Sequence, residues 1–232
     1  KVRRSVVRVV GGESEGSGFA IKKGGFILTN FHVIASEPDP KVILPDNTFE
    51  TGEVIMADKN ADLAVIKIKK DIPAVKFARL SGMCPAEEVL AIGYPLGGGL
   101  SGESFVIRGA FSRSTKDKEN GIQYLLTDMT MISGISGGPM VNICGEVVGI
   151  NTAGLFLGGL GIAVSSDSII EKYKQMSVSK DSLKDVKRTV FAPDKNALEA
   201  VRCFYNYLKA RKLEKAFELL SENFVMGYSF EH

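Results

Sequence analysis

The chain has 232 residues, 44% of them hydrophobic, so it can bury a sizeable core as one large domain or two small ones. Its 29 lysines and arginines are interleaved with 27 acidic residues, which argues against a nucleic-acid partner. The uncharged stretch at residues 151–166 is shorter than the ~20 apolar residues of a spanning helix and contains glycines, so we expect no membrane span.

The cysteines and the N-terminus give little further information. Cys84, Cys144 and Cys203 are an odd number at wide spacing, which matches neither a disulfide framework nor a zinc site, so we interpret them as buried free thiols. No cluster of His, Cys and carboxylates has metal-ligand spacing, so we expect neither a metal nor a cofactor. Residue 1 is a lysine, and no apolar targeting segment follows it.

Short runs rich in β-branched residues, separated by glycine-containing turns, occupy the chain from residue 6 to about residue 170. Such a pattern predicts an antiparallel barrel or sandwich. Residues 17–30 and 137–151 both read as glycine, strand, turn, strand and asparagine. This similarity indicates two similar β-units laid end to end, and a chance likeness between two hairpins is the alternative interpretation. The runs are “SVVRVV”, “GSGFAIKKGGFILTN”, “KVILPD”, “TGEVIMA”, “LAVIKI”, “EVLAIGYP”, “ESFVIRGAFS”, “QYLLTD”, “PMVNICGEVVGIN” and “GIAVSS”.

After Ser165 the apolar positions change to a period of 3.6 residues, which predicts helices. The first helix is “SSDSIIEKYKQM”, with Ser165 or Ser166 as its cap, and a polar linker over about 177–193 follows it. Pro193 and Asp194 are start signals for a second helix. The second and third helices would present apolar faces made of Leu198, Val201, Phe204, Tyr205 and Leu208, and of Leu213, Ala216, Phe217 and Leu220.

Ser136 lies between glycines in “GISGGPM” and is a candidate nucleophile. A serine hydroxyl needs a base within hydrogen-bond reach and a group that orients that base. His32 is the candidate base, because the only other histidine is the C-terminal His232. Asp62, directly before the strand “LAVIKI”, is the preferred orienting carboxylate, and Asp58 in “ADKN” is the alternative.

The glycines beside Ser136 have a chemical use. An oxyanion hole needs backbone N–H groups aimed at one point, and a Cβ near the substrate would obstruct it. The N–H groups of Gly134 and Ser136 are the candidate donors. An ordinary glycine-rich turn is the alternative.

The motifs “ILTNFHVI”, “ADLAVIKI” and “TDMTMISGISGGPM”, in this order, resemble the HtrA/Deg serine proteases. “GEVVGINTAG” and “GIAVSSDSI” extend the resemblance to about residues 5–175. The resemblance implies a mainly β chymotrypsin-like fold of two six-stranded antiparallel barrels with a short C-terminal helical appendage. We therefore expect an N-terminal barrel at 1–82 with the His and Asp, a C-terminal barrel at 83–176 with the Ser, a linker at 177–193 and a helical segment at 194–232.

The resemblance also implies roles for single residues. His32 would be the general base and then the general acid, Asp62 its orienting group and Ser136 the nucleophile, with Gly134 and Ser136 as oxyanion donors. The specificity pocket would be lined by apolar residues, which favours cleavage after small or aliphatic residues. Those substrate-binding positions are Met131, Ile162, Ala163 and Val164.

The sequence also departs from the family. Ile135 occupies a position where relatives usually have asparagine, so we expect an oxyanion hole that is poorly formed at rest and ordered by substrate or partner. The tail is too short and too helical for a PDZ domain; it resembles the opening helices of an α+β domain, with a helical hairpin as the alternative. “KVRRSVVRVV” lacks the aromatics with which family members trimerise, which leaves the oligomeric state open.

These observations predict a serine endopeptidase that acts on unfolded or loosely folded proteins through an acyl-enzyme. The resemblance favours an extracytoplasmic compartment, periplasmic or secreted, and a role in protein quality control under stress. Two alternatives remain: a protease fold retained as a binding or chaperone module with a latent site, and a self-processing protease with a dedicated cut site.

Overall fold

The computed structural model describes residues 1–95, 103–152, 160–176, 183–190, 192–209 and 213–220. They form two β-sheets followed by helices, which confirms the expected mainly β fold with a helical appendage. The domain boundaries stay a prediction. No helix within these ranges is long and apolar enough to cross a membrane.

The first sheet has the strand order β5-β4-β1-β2-β3-β7-β6, with all neighbours antiparallel. A three-residue strand, β5, was not predicted from the sequence. The strands are β1 (Val6–Val10), β2 (Glu15–Lys22), β3 (Phe26–Thr29), β4 (Lys41–Ile43), β5 (Phe49–Thr51), β6 (Glu53–Asp58) and β7 (Leu63–Lys67).

Gly52 joins the two outer strands of this sheet, so β5 and β6 are two arms of one bent segment. One arm pairs with β4 and the other with β7. A Cβ at Gly52 would overlap the Ile66 side chain, so the bend requires glycine. Counting the bent segment once gives the six strands that we expected.

The second sheet is a closed barrel with the order β10-β13-β12-β11-β8-β9. Closure leaves no free strand edge. Its strands are β8 (Glu88–Gly93), β9 (Phe105–Lys116), β10 (Gln123–Thr127), β11 (Pro139–Asn142), β12 (Val147–Thr152) and β13 (Gly161–Ser165).

The core consists of three clusters of buried side chains. One fills the first sheet and contains Val9 and Ile66, and another fills the second barrel and contains Leu125 and Met140. The third, with residues such as Phe19 and Val164, draws on both sheets and joins them. The two sheets therefore meet along an apolar seam, and polar groups at the end of that seam can reach from one sheet to the other.

The described residues contain four α-helices: α1 (Phe31–Ile34), α2 (Ser166–Met176), α3 (Ala197–Lys209) and α4 (Leu213–Phe217). Ser165 caps α2, because its Oγ accepts the Ser168 N–H at 3.2 Å. The apolar residues predicted to share a face of α3 are largely exposed, and the side chains that α3 buries are Cys203 and Asn206. Phe224 and the other residues of the predicted segment beyond 220 lie outside the described ranges.

The segment before α3 is attached to the first sheet. Lys187 and Thr189 donate their N–H groups to the carbonyls of Ala35 and Ser36, at 3.0 and 2.9 Å, just after the helix that carries His32. The expectation of three buried thiols is wrong for two of them: Cys84 and Cys144 are exposed, and only Cys203 is buried. Both exposed cysteines lie in turns, and the general tendency of free cysteines to be buried does not take such local positions into account.

Candidate active site

Asp62 and His32 form a hydrogen-bonded pair. His32 Nδ1 lies 2.8 Å from Asp62 Oδ2 and 3.0 Å from Oδ1, and the His32 backbone N–H donates to Oδ1 at 3.0 Å. His32 is the second residue of α1, directly after the end of β3. The carboxylate therefore holds both the ring and the backbone of the histidine, which fixes the ring orientation.

Asp62 is held in an unusual backbone conformation next to β7. Its φ of 53° lies in the left-handed region, which non-glycine residues seldom adopt and which is typical of functional sites. The Asn30 side chain donates to the Asp62 carbonyl at 2.8 Å and stabilises this conformation. Asp58, the alternative orienting residue, instead accepts the Ala61 N–H at 2.9 Å. The structure therefore brings Asp62, and not Asp58, to His32.

Thr152 joins this pair from the second barrel. At the end of β12, its hydroxyl donates to Asp62 Oδ2 at 2.9 Å. With the two donors of His32, the carboxylate accepts hydrogen bonds from three groups. Together these donors hold the carboxylate in one orientation between the two sheets. Sequence reasoning missed Thr152, although it lies in the quoted motif “GEVVGINTAG”.

Ser136 belongs to the second barrel but packs against the first. Its carbonyl accepts the Ser17 N–H at 2.7 Å, and a Cβ on the next residue, Gly137, would lie 3.1 Å from the Asn30 nitrogen. Asn30 is two residues before His32, so the segment that carries Ser136 lies next to the segment that carries His32. In the described part of the chain no hydrogen bond joins the Ser136 hydroxyl to the His32 ring. Such bonds are often long without substrate and tighten in the complex.

The residues before Ser136 form a tight turn. The Ile135 N–H donates to the Ile132 carbonyl at 3.3 Å, and Gly134, the third residue of the turn, has a φ of 92°. A positive φ at the third position alone defines a type II turn, and glycine adopts it without strain. Among the described residues the N–H groups of Gly134 and Ser136 have no acceptor. Two free, neighbouring donors beside a serine are the groups that an oxyanion hole requires.

Ile135 lies in the apolar core of the second barrel. It is 1% exposed and packs in the cluster that contains Leu125 and Met140. Its N–H closes the turn to the Ile132 carbonyl, and the expectation that the oxyanion hole is poorly formed at rest stays a prediction. Burial of the isoleucine side chain anchors the last residue of the turn in place of a polar contact.

The four expected substrate-binding residues lie on or beside β13, and the structure brings two of them together. Met131 and Ala163 belong to the cluster that contains Ile135. Val164, the next residue along the strand, faces the other way and packs in the seam between the sheets. Ile162 is 9% exposed at the start of the strand. Alternate residues of a strand point to opposite faces, so Ala163, together with Met131, packs in the cluster of Ile135, which belongs to the nucleophile turn (residues 132–137).

Comparisons with known proteins agree with this geometry. Residues 16–150 match the family model described as a trypsin-like peptidase domain. The chain is 36% identical over 172 residues to a probable periplasmic serine endoprotease DegP-like of Hahella chejuensis (strain KCTC 2396), covering 71% of this chain and 36% of that protein. It is 38% identical over 164 residues to the serine protease HTRA1 of Xenopus laevis, covering 67% and 35%.

Solved structures give the same result. The structure described as HtrA-type protease AlgW with tripeptide superposes with a TM-score of 0.66 at 28% identity, covering 75% of this chain and 60% of that one. The chain spans about a third of the length of the curated relatives that it matches. By fold, family model and relatives, the chain belongs to the trypsin-like peptidases and, among them, to the HtrA/Deg serine proteases.

Proposed function

We propose that the chain is a serine endopeptidase that hydrolyses peptide bonds through an acyl-enzyme intermediate. The observation that carries this proposal is the Asp62 carboxylate, shared between His32 and Thr152. The segment that carries His32 lies next to a serine whose turn has two N–H groups without an acceptor among the described residues. A protein that only binds peptides has no chemical need for this combination.

In the first half of the reaction Ser136 attacks the carbonyl of the substrate. The carboxylate of Asp62 accepts a hydrogen bond from the Nδ1–H of His32, so the lone pair of His32 lies on Nε2 and takes the serine proton. The negative oxygen of the tetrahedral intermediate accepts hydrogen bonds from the N–H groups of Gly134 and Ser136. The imidazolium then protonates the leaving amine, and the acyl group stays on Ser136.

In the second half a water molecule replaces the departed amine. His32 takes a proton from the water, the oxygen attacks the acyl carbon, and the same two N–H groups stabilise the second tetrahedral intermediate. The proton returns from His32 to the Ser136 oxygen, and the new carboxylate leaves. Each N–H donor is worth about 2.7–4 kcal/mol of transition-state stabilisation.

The residues beside the nucleophile turn favour small or aliphatic side chains before the cut. Met131 and Ala163 are apolar and pack in the cluster that contains Ile135. An arginine or lysine side chain that packed against them would have to lose part of its hydration. Peptides with valine or alanine before the cut should therefore have a higher kcat/KM than the same peptide with arginine.

We further propose that the substrates are unfolded or loosely folded proteins outside the cytoplasm. An extended peptide segment is the form of substrate that a cleft between two barrels can accept. The compartment rests on relatives, one of which is named as periplasmic. We propose no nucleic-acid partner, because the charges are balanced and interleaved.

The test is degradation of unfolded casein by the purified chain and by its Ser136→Ala variant. Ser112→Ala, an exposed serine on β9, is the matched control. Losing the nucleophile should lower the rate by several powers of ten, about 10⁶-fold in a well-formed triad, while the control keeps the parent rate. Equal rates for the parent and Ser136→Ala would refute the proposal and leave the binding or chaperone module as the better account.

A further inference from the structure

Two peptide groups of the nucleophile turn are each held at both ends. In the Gly134–Ile135 peptide, the carbonyl accepts the Ser17 hydroxyl at 2.8 Å, and the N–H donates to the Ile132 carbonyl at 3.3 Å. Neither side of this peptide can rotate without breaking a hydrogen bond in the core.

The Ser136–Gly137 peptide is held in the same way. Its carbonyl accepts the Ser17 N–H at 2.7 Å, and its N–H donates to the Asn151 carbonyl at 2.9 Å. The peptides that carry the free N–H groups of Gly134 and Ser136 alternate with the two held ones. Adjacent peptide planes share a Cα, so fixing one plane restricts the rotation of the next. Ser17 is the residue that contributes a hydrogen bond to both held peptides.

The Ser17 hydroxyl has a defined direction. Ser17 is 0% exposed, and its Oγ accepts the Tyr94 N–H at 2.8 Å. With the acceptor side of the oxygen taken by Tyr94, the hydroxyl proton points to the carbonyl of Gly134. A fully satisfied buried polar group of this kind rigidifies its surroundings.

Glycines make room for this contact. A Cβ at Gly16 would lie 2.7 Å from the Ser136 carbonyl oxygen, and a Cβ at Gly93 would lie 2.6 Å from Ser17 Oγ. Real Cβ atoms do not approach other heavy atoms so closely, so larger residues would separate β2 from the turn. The side chain of Ile135 has no polar atom, so it cannot replace a hydrogen bond made by Ser17.

We propose that Ser17 is a positioning residue that aims the N–H groups of Gly134 and Ser136 at the oxyanion. It acts through the backbone of the turn and does not touch the substrate. This inference rests on the proposed peptidase function, because it names the residue on which the oxyanion hole depends. A residue on β2 of the first sheet would therefore set the geometry of the oxyanion hole in the second barrel.

The test compares the parent chain with Ser17→Ala and with the matched control Ser166→Ala. Ser166 is also 0% exposed and donates its hydroxyl to a backbone carbonyl, that of Ala78 at 2.6 Å. The measurements are kcat, corrected for the folded fraction of the protein, and KM on a peptide with valine before the cut. The affinity for a peptide boronate is measured as well. The boronate forms a tetrahedral adduct whose oxygen occupies the oxyanion position.

Ser17→Ala should lower kcat about 100-fold, as removal of an oxyanion donor does, and leave KM within about threefold. Its boronate affinity should fall by a similar factor, while Ser166→Ala stays within about twofold of the parent in all three quantities. A kcat for Ser17→Ala within about threefold of the parent overturns the role of Ser17 but not the peptidase function. A parent chain that cleaves no peptide overturns both.

Should Ser17→Ala fail to fold, Ser17→Cys decides the question. The thiol keeps a donor at the same side-chain position, but it is larger than the hydroxyl and only a weak hydrogen-bond donor. A loss in kcat of about tenfold or more per folded molecule supports the positioning role. An unchanged kcat overturns it.

Discussion

Replacing Asp62 by asparagine should abolish most of the activity by placing the histidine proton on the wrong nitrogen. The His32 backbone N–H donates to Oδ1 and cannot reverse its role, so the amide oxygen of the asparagine must take that position. The amide NH₂ then occupies the Oδ2 position, 2.8 Å from His32 Nδ1 and 2.9 Å from the Thr152 hydroxyl. It donates to both, and because Nδ1 lies closer to this position than to Oδ1, at 2.8 against 3.0 Å, the variant favours an Nδ1 that accepts and an imidazole proton on Nε2.

An imidazole protonated on Nε2 cannot take the proton of Ser136. The same change in the known serine protease triad costs about 10⁴-fold in kcat, or about 5 kcal/mol at 1.36 kcal/mol for each factor of ten. The assay is kcat of Asp62→Asn on the valine peptide at neutral pH, with unfolding curves as a check on the fold. Asp58→Asn is the control, because Asp58 contacts the Ala61 N–H and the Lys172 ammonium and has no contact with His32. A kcat for Asp62→Asn within about tenfold of the parent would refute this reasoning.

Three further predictions concern stability and the support of the carboxylate. Ile135→Asn should lower the free energy of unfolding in urea by about 3–5 kcal/mol, from lost apolar burial and an unpaired amide; equal stability would contradict the core position of Ile135. Gly137→Ala should lower the free energy of unfolding by at least about 2 kcal/mol more than Gly121→Ala does. Both glycines have a positive φ, but only Gly137 is in close contact with the first sheet. Equal decreases in the two variants would contradict the close packing of the turn. Thr152→Val removes a hydrogen-bond donor to Asp62 and should lower kcat/KM about tenfold. A bond to a charged group is worth about 1.5–3 kcal/mol, but part of that energy already stabilises the free enzyme, so only the remainder is lost from the transition state. A change below twofold would contradict the role of Thr152.

The sequence predicted the residues whose chemistry is rare. His32 and Asp62 adjoin β-branched strands, and Ser136 lies among glycines, so each could be identified locally and by its resemblance to a family. Thr152 could not, because its hydrogen bond to Asp62 joins residues that are 90 positions apart. Ser17 meets the carbonyl of a residue 117 positions away. A threonine or serine in a strand gives no local sign of which distant group it will contact.

Elements were predicted from the sequence where one face of a strand or helix had a clear period. The strand β5 was missed because its three residues have no apolar alternation and pair only at one edge of the sheet. The face of α3 shows the opposite difficulty. Its apolar period was correctly identified, but Leu198 and Tyr205 are exposed, 75% and 59%. Periodicity tells which side chains share a face and gives no information on what packs against it.

The central claim is that His32 activates Ser136, and labelling with a fluorophosphonate tests it directly. This reagent modifies a serine only when a neighbouring base removes the hydroxyl proton. We predict that mass spectrometry of the labelled chain finds a single adduct on the peptide that contains Ser136, and that His32→Ala abolishes it. An unlabelled parent chain, or equal labelling of Ser136 in His32→Ala, would contradict the account.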